Sequence, residues 1–395
     1  MHTQLVTDNK YLNDCVSRLN HSPEISVDLE FDKNYYRYGF NLCLIQAYAG
    51  DICYLIDPLS PELDIDLFFP VLQNEHIQKV VFAFGEDLRL LHSLGCFPKN
   101  IYDLNFTTSL LNYPPSSLTN YISDVLGIDT GKSSQQSNWF KRPLSDEQMQ
   151  YAAQDVLHLS DLKKILEKEA RKKNIDGWIA EENALFDKLN YAEIEDNSLF
   201  KENDKRNFSE FEWHLFKNLL LLREELAKKF NKPGFRIISK DILSDLAKNT
   251  GNPEPQIFAQ KLQNSDIPAE ELKTPFLNLC LEAQREAMAM GLSKSEPAAK
   301  PLSKKEFLDQ KKLRVKMNII KNNFLKPVKN QIAKDYGSEA ASFILSNRIM
   351  NEIINGERDM VLNYKSDLIL TYARKLGIDP EEYFPDSFLF AQTRE

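Results

Sequence analysis

The first half of the chain alternates between short apolar runs and turn-like segments. Ile25–Phe31, Asn41–Tyr48 and Ile52–Ile56 are β-rich runs that predict a three-stranded meander. Leu63–Gln73 has helical spacing. Lys79–Phe84 is a continuous apolar run stopped by Gly85, the pattern of a buried parallel strand. Glu86–Leu94 then predicts a short helix, and Asn100–Tyr102 a last strand leading into Asp103. From there the period is helical, over Leu104–Leu111 and Leu118–Leu126. A long helix starts at Ser145-Asp146-Glu147-Gln148, a capping-box pattern, and is expected to run past Glu167. Strands first, then βαβ, then helices predicts an α/β domain: a mixed sheet flanked by helices.

The second half is helical throughout. Asp196–Asn207 is polar and aperiodic, and Gly291–Ser303 carries Pro297 and Pro301, so both predict linkers. Phe208–Met290 is broken at Pro233-Gly234 and at Gly251-Asn252-Pro253; Phe307–Phe388 is broken near Gly337, Gly356 and Gly377. Three domains are expected, over 1–195, 208–291 and 303–395, and 395 residues is too long for one ordinary core.

Charge changes the picture. The net charge of −9 is uneven. Residues 1–200 hold 17 basic against 30 acidic side chains, a balance of −13; residues 201–395 hold 32 against 28, or +4. Lys300–Lys334 contains 11 basic residues opposed only by Glu306 and Asp309. An acidic half joined to basic helices is compatible with nucleic acid once cations sit in the acidic part. No apolar run is long enough for a membrane span, and the N-terminus lacks a signal-peptide pattern. Five scattered cysteines without Cys-x-x-Cys predict reduced thiols and a cytoplasmic protein.

The candidate chemistry lies in four carboxylates and a tyrosine. Asp28 and Glu30, two apart on a strand, share a face. Tyr151 and Asp155, four apart on a helix, do likewise. Asp87 begins a helix just past the buried strand. Taken singly, each has a plain reading: a solvated strand end, a first-turn acid favoured by the helix dipole, a surface hydrogen-bonded pair. Their order and contexts together point to a pocket for two divalent cations, as phosphodiester hydrolysis through paired metals requires. The six histidines form no metal-ligand spacing, and no Gly-rich phosphate loop or Ser-His-Asp set occurs.

These motifs resemble the exonuclease domain of the ribonuclease D family, in the Tyr-containing subgroup of DEDD 3′→5′ exonucleases. Asp28-Leu29-Glu30 matches the first motif, Asp87 in Phe84-Gly85-Glu86-Asp87-Leu88 the second, and Tyr151-x-x-x-Asp155 the third. Leu44-Ile45-Gln46, Leu55-Ile56-Asp57-Pro58-Leu59 and Lys132-Ser133-x₅-Trp139-x-x-Arg142-Pro143-Leu144 agree as well. Leu215-Phe216-x-x-Leu219-x-x-Leu222-Arg223-x-x-Leu226-Ala227, with Pro233, Ile237, Leu243, Leu246-Ala247 and Pro253, resembles an HRDC domain, and 307–388 a divergent second copy. Two positions depart from the family: Phe82 stands where a His is usual, and Tyr38-Gly39 where Tyr-Pro is.

The resemblance implies an RNase H-like exonuclease fold followed by two all-α HRDC-like domains. It implies a 3′→5′ exoribonuclease that releases nucleoside 5′-monophosphates, with Mg²⁺ or Mn²⁺ held by Asp28, Glu30, Asp87 and Asp155. The implied partner is RNA, at the 3′ ends of tRNA precursors and other small RNAs, with no membrane, and the protein is expected to be a monomer. Tyr151 is expected to orient the attacking water, Phe31 to wedge against the terminal base, and Lys132, Trp139 and Arg142 to line the substrate path; Phe31 reads equally as a core aromatic, and Arg142 before Pro143 equally as a residue that fixes its loop. Asp103 is expected to support Asp87 as a helix start. Two other readings stay open: a DNA-directed exonuclease, and a catalytically inactive RNA-binding protein.

Overall fold

A computed structural model describes residues 2–129, 137–193, 199–249, 267–299, 303–357 and 361–384. Lys132, the Gly251-Asn252-Pro253 break, Pro301 and Phe388 lie outside the described residues. The chain forms two compact units. One comprises Met1–Glu30, Cys43–Ala192 and Lys304–Glu395; the other Phe31–Leu42 and Glu193–Ser303.

The first unit is built on a six-stranded sheet: β1 His2–Val6, β2 Glu24–Lys33, β3 Phe40–Ala49, β4 Ile52–Ile56, β5 Gln78–Val81 and β6 Ile101–Asp103. The spatial order is β1-β4-β3-β2-β5-β6. β1 runs parallel to β4, β3 antiparallel to β4, and β2, β5 and β6 are mutually parallel. This is the expected mixed sheet. The predicted meander occupies β2–β4, and the buried run Lys79–Phe84 supplies β5, which ends earlier than its apolar pattern. At Ala83 the backbone turns through the left-handed region, φ 56°.

Some elements depart from their patterns. β1 and the helix Asn9–Leu19 extend the sheet domain to its first residues, with Asp8 capping the helix by accepting from the Tyr11 amide. Leu63–Gln73 yields only a 3₁₀ turn, Ile65–Leu67, and a one-turn helix, Phe69–Gln73; Pro70 lacks an amide donor and disfavours a helix running through it from the N-terminal side. The long helix does begin with the Ser145/Gln148 capping box, but His158 divides it into Asp146–Leu157 and Leu159–Lys172. The first piece packs Ala152, Ala153 and Val156 against Cys43, Leu44, Cys53 and Leu55 of β3 and β4. The second buries Leu159, Leu162 and Leu166 in a different cluster. Splitting the helix lets one run serve both clusters.

That second cluster also absorbs the C-terminal helices. Ile320, Phe324, Val328, Ile344, Met350 and Tyr364 lie in one continuous core with Leu104, Leu110, Tyr121 and Leu166. At about 1.5–3 kcal/mol for each large apolar side chain buried, this junction is part of the unit's stability. The described helices between Lys304 and Leu376 therefore share the sheet domain's core.

The second unit is helical: Glu210–Phe230, Gly234–Ile237, Lys240–Lys248 and Ala269–Ala289. Phe211, Phe216, Leu219, Leu243 and Phe276 form its core. Ser209 caps its first helix with Glu212 in a capping box. The expected linker after Gly291 is docked here, with the Ala298 amide donating to the Phe208 carbonyl at 2.9 Å. All five cysteines are buried thiols outside any disulfide. Among the described residues no helix is long and apolar enough to cross a membrane.

Candidate active site

β2 lies between β3 and β5, and its pairing with β5 runs Glu24↔Gln78, Ile25↔Lys79, Ser26↔Val80. β5 stops at Val81 while β2 continues to Lys33. Asp28 and Glu30 therefore stand just past the end of β5, where the chain turns into the helix Gly85–Ser93 with Asp87 in its first turn. The helix Asp146–Leu157 brings Asp155 to the same place: one carboxylate oxygen from each of Asp28, Glu30 and Asp155 lies within 4.8 Å of the others.

The electrostatics follow from this crowding. Asp28 is held well above the usual carboxylate range, first by burial and then by the charges of Asp87, Asp155 and Glu30, with the Leu29 amide opposing. Glu30 is likewise raised by burial and then by Asp155 and Asp87. Burial pushes Asp87 up to about 7 and Asp155 up to about 7; a hydrogen bond from Tyr151 moderates the latter. Four acids raised by burial, two of them further by the charges of the others, form a poor set of free anions and a good set of cation ligands. The donors are all oxygen, which suits hard divalent ions. The residues present fit such a centre.

The supports are specific. Asp103 is 2% exposed and accepts from the amides of Ala83 at 2.8 Å, Phe84 at 2.9 Å and Asn105 at 2.9 Å. It caps the helix Leu104–Leu110 and pins the turn before Asp87, the role expected of it. Gln46, fully buried on β3, brings its amide nitrogen to 3.5 Å from Glu30 Oε1.

Trp139 and Arg142, expected along a substrate path, are held otherwise. Trp139 is 3% exposed, inside the cluster of Cys43, Leu55 and Leu144, with its ring 6.2 Å from that of Tyr151. Arg142 forms a fork on buried Asp57 at 2.6 and 2.7 Å. Its other N–H groups go to the carbonyls of Trp139, Lys141 and Cys43, at 2.7, 2.9 and 2.8 Å. Those five donors exhaust a guanidinium. Arg142 fastens the loop before the Tyr151–Asp155 helix to the sheet. The sequence carried no local signal for this pairing, since Asp57 lies 85 residues away. Phe31 is half-buried, edge-on to Phe40 at 5.1 Å.

A carboxylate set at the end of a mixed sheet is the setting in which a family match falls: residues 3–171 are similar to the 3′–5′ exonuclease domain family. The particular relatives are ribonucleases D. The enzyme of Zymomonas mobilis subsp. mobilis is 33% identical over 247 residues, 62% of this chain and 63% of that protein. That of Bartonella henselae is 28% identical over 62% of this chain and 60% of its own length. The chain thus matches somewhat under two thirds of these relatives' length. Among solved structures, Escherichia coli RNase D, described as an exoribonuclease involved in structured RNA processing, superposes with a TM-score of 0.68 at 19% identity, covering 95% of this chain and 99% of that one. The catalytic core of Trypanosoma brucei RRP6 gives 0.64 at 20% identity over 72% and 80%. At these identities the likeness establishes the fold.

Proposed function

We propose that this protein is a divalent-metal-dependent 3′→5′ exoribonuclease that hydrolyses RNA from its 3′ end and releases nucleoside 5′-monophosphates, with tRNA precursors and other small RNAs as substrates. The observation that carries it is the meeting of Asp28, Glu30 and Asp155 within 4.8 Å, beside Asp87, in an exonuclease domain whose curated relatives are ribonucleases D. Two bound ions, Mg²⁺ or Mn²⁺, supply an activated water and charge neutralisation at the leaving 3′ oxygen. Asp28, Glu30 and Asp155, with Asp87 beside them, would hold the ions.

Tyr151 donates its hydroxyl hydrogen bond to Asp155 before ions bind. With the ions held, it is free to orient the attacking water; a phenol of pKa about 10 suits orientation better than proton abstraction at neutral pH. Trp139 backs the tyrosine ring, and Phe31, next to Glu30 in the chain, meets the terminal base. The HRDC-like helices and the lysines of 304–334 contribute phosphate contacts.

The test is hydrolysis of end-labelled RNA and DNA oligomers with Mg²⁺ or Mn²⁺, with products resolved by chromatography. The expected outcome is stepwise loss of 5′-monophosphates from the RNA 3′ end, falling about a thousandfold in Asp28→Asn. Faster hydrolysis of DNA would overturn the RNA assignment. No hydrolysis of either would leave an inactive RNA-binding protein.

A further inference from the structure

The C-terminal helices meet the sheet domain through a buried polar chain that points at the metal-site carboxylate Asp87. On the helix Asn363–Leu376, the Tyr364 hydroxyl donates to Glu182 Oε1, and Lys365 Nζ pairs with the same oxygen at 2.8 Å, with both side chains of that ion pair 5% exposed or less. The Tyr364 ring stacks on Trp178 at 5.2 Å. Glu182 and Trp178 belong to the helix Asp176–Ala184, so that helix is gripped at two points one turn apart.

The next residue of the same helix, buried Asn183, turns towards the sheet. Its Oδ1 accepts from the Asp103 amide at 2.7 Å at the end of β6, while its Nδ2 donates to Ile179 O at 3.0 Å, which fixes the amide's orientation. Asp103 in turn holds the amides of Ala83 and Phe84. Ala83 has φ 56°, a conformation a non-glycine residue keeps only when its surroundings enforce it. Phe84 opens the helix that presents Asp87, its carbonyl accepting from the Leu88 amide at 3.0 Å. The chain of bonds is directional from the C-terminal helices to the turn that carries Asp87.

We propose that Asn183 and Glu182 are positioning residues for the metal site: the C-terminal helices, through Tyr364 and Lys365, lock the helix Asp176–Ala184 against β6, and Asn183 thereby fixes Asp103 and the turn that aims Asp87. The inference rests on the metal-dependent reading of the site. It gives the 304–384 helices a part in assembling the catalytic centre, separate from any grip on RNA. A second fastening agrees with this. Asn112 Oδ1 accepts from the amides of Glu339 at 2.9 Å and Ala340 at 3.5 Å, and Gly337, at φ 95°, lies so close to Asn112 that a Cβ there would clash at 2.1 Å.

The experiment titrates full-length protein with Mn²⁺ alone by calorimetry, alongside kcat and KM on one RNA oligomer and thermal unfolding. Asn183→Leu deletes the acceptor at nearly constant volume; its Mn²⁺ affinity is expected to fall about tenfold, the scale of losses at groups that orient metal ligands. kcat should fall with it while KM stays put. The pair Glu182→Gln/Lys365→Met removes the ion pair but keeps its packing, and is expected to weaken Mn²⁺ about threefold; it decides the matter if Asn183→Leu does not fold. Tyr372→Phe is the control, since its hydroxyl bonds Asp335 at 2.6 Å away from this path. Native Mn²⁺ affinity in the folded variants would overturn the proposal, as would an equal loss in Tyr372→Phe, or a rise in KM alone. Failure of the unmodified protein to bind Mn²⁺ would instead overturn the metal-dependent reading itself.

Discussion

Burial of its clustered acids makes the metal-free protein lose stability as pH rises. Asp87 and Asp155 titrate near 7 when folded, against roughly 3.9 for a free aspartate in the unfolded chain. The folded state then binds protons more tightly than the unfolded one. Stability from this source is therefore complete below about pH 4, declines as pH rises towards 7, and is level above that. A pKa difference of about 3 amounts to about 4 kcal/mol for one isolated carboxyl. The site opens to solvent and its members share the same repulsion, so about 2 kcal/mol for the cluster is the realistic scale. At about 2–4 °C per kcal/mol, this lowers Tm by about 4–8 °C between pH 5 and pH 8.

Calorimetric scans in chelator at several pH values measure it. His92 and His158, depressed by burial, contribute the opposite slope, so the decisive quantity is the difference from Asp28→Asn. That variant should be more stable than the native chain at pH 8, by a few degrees, and equal to it near pH 5. Added Mg²⁺ or Mn²⁺ should raise Tm most at high pH, because ions bind the ionised, folded form. A pH-independent difference, or Asp28→Asn being destabilising at pH 8, would refute the convergence of these carboxylates on one site.

Three further outcomes are expected. Tyr151→Phe should slow RNA hydrolysis about a hundredfold while calorimetric Mn²⁺ affinity barely moves; a large loss of ion binding would make the hydroxyl a support of the site. Arg142→Met strands the buried Asp57 carboxylate and should cost about 3–5 kcal/mol in denaturant unfolding, against under about 1 kcal/mol if the guanidinium only faced substrate. Replacing Lys311, Lys312 and Lys316 on the exposed helix Lys304–Ile320 with glutamine should flatten the salt dependence of RNA affinity, by up to about 0.7 for each phosphate these lysines neutralise. An unchanged slope would place the electrostatic grip elsewhere.

The sequence by itself determined the parts whose signals are local. β2–β4 alternate or run apolar over their own length; Ser145-Asp146-Glu147-Gln148 specifies its own helix start; Asp28, Glu30, Tyr151 and Asp155 share faces because strand and helix periods put them there. The α/β class and the order of the acidic motifs were therefore legible. Only the tertiary structure decided matters that depend on residues far apart in the chain. β1 has little apolar pattern and is a strand because β4 offers its edge. His158 splits a helix that local propensity would continue, because two different cores claim its halves. Arg142 reads equally as a ligand for phosphate or for protein until Asp57, 85 residues away, takes its fork. Periodicity set the C-terminal helices apart as a domain of their own; burying Phe324, Ile344 and Tyr364 in one core with Leu104 and Leu166 joins them to the sheet-bearing unit, because an apolar helical face packs against whichever apolar face the chain brings to it.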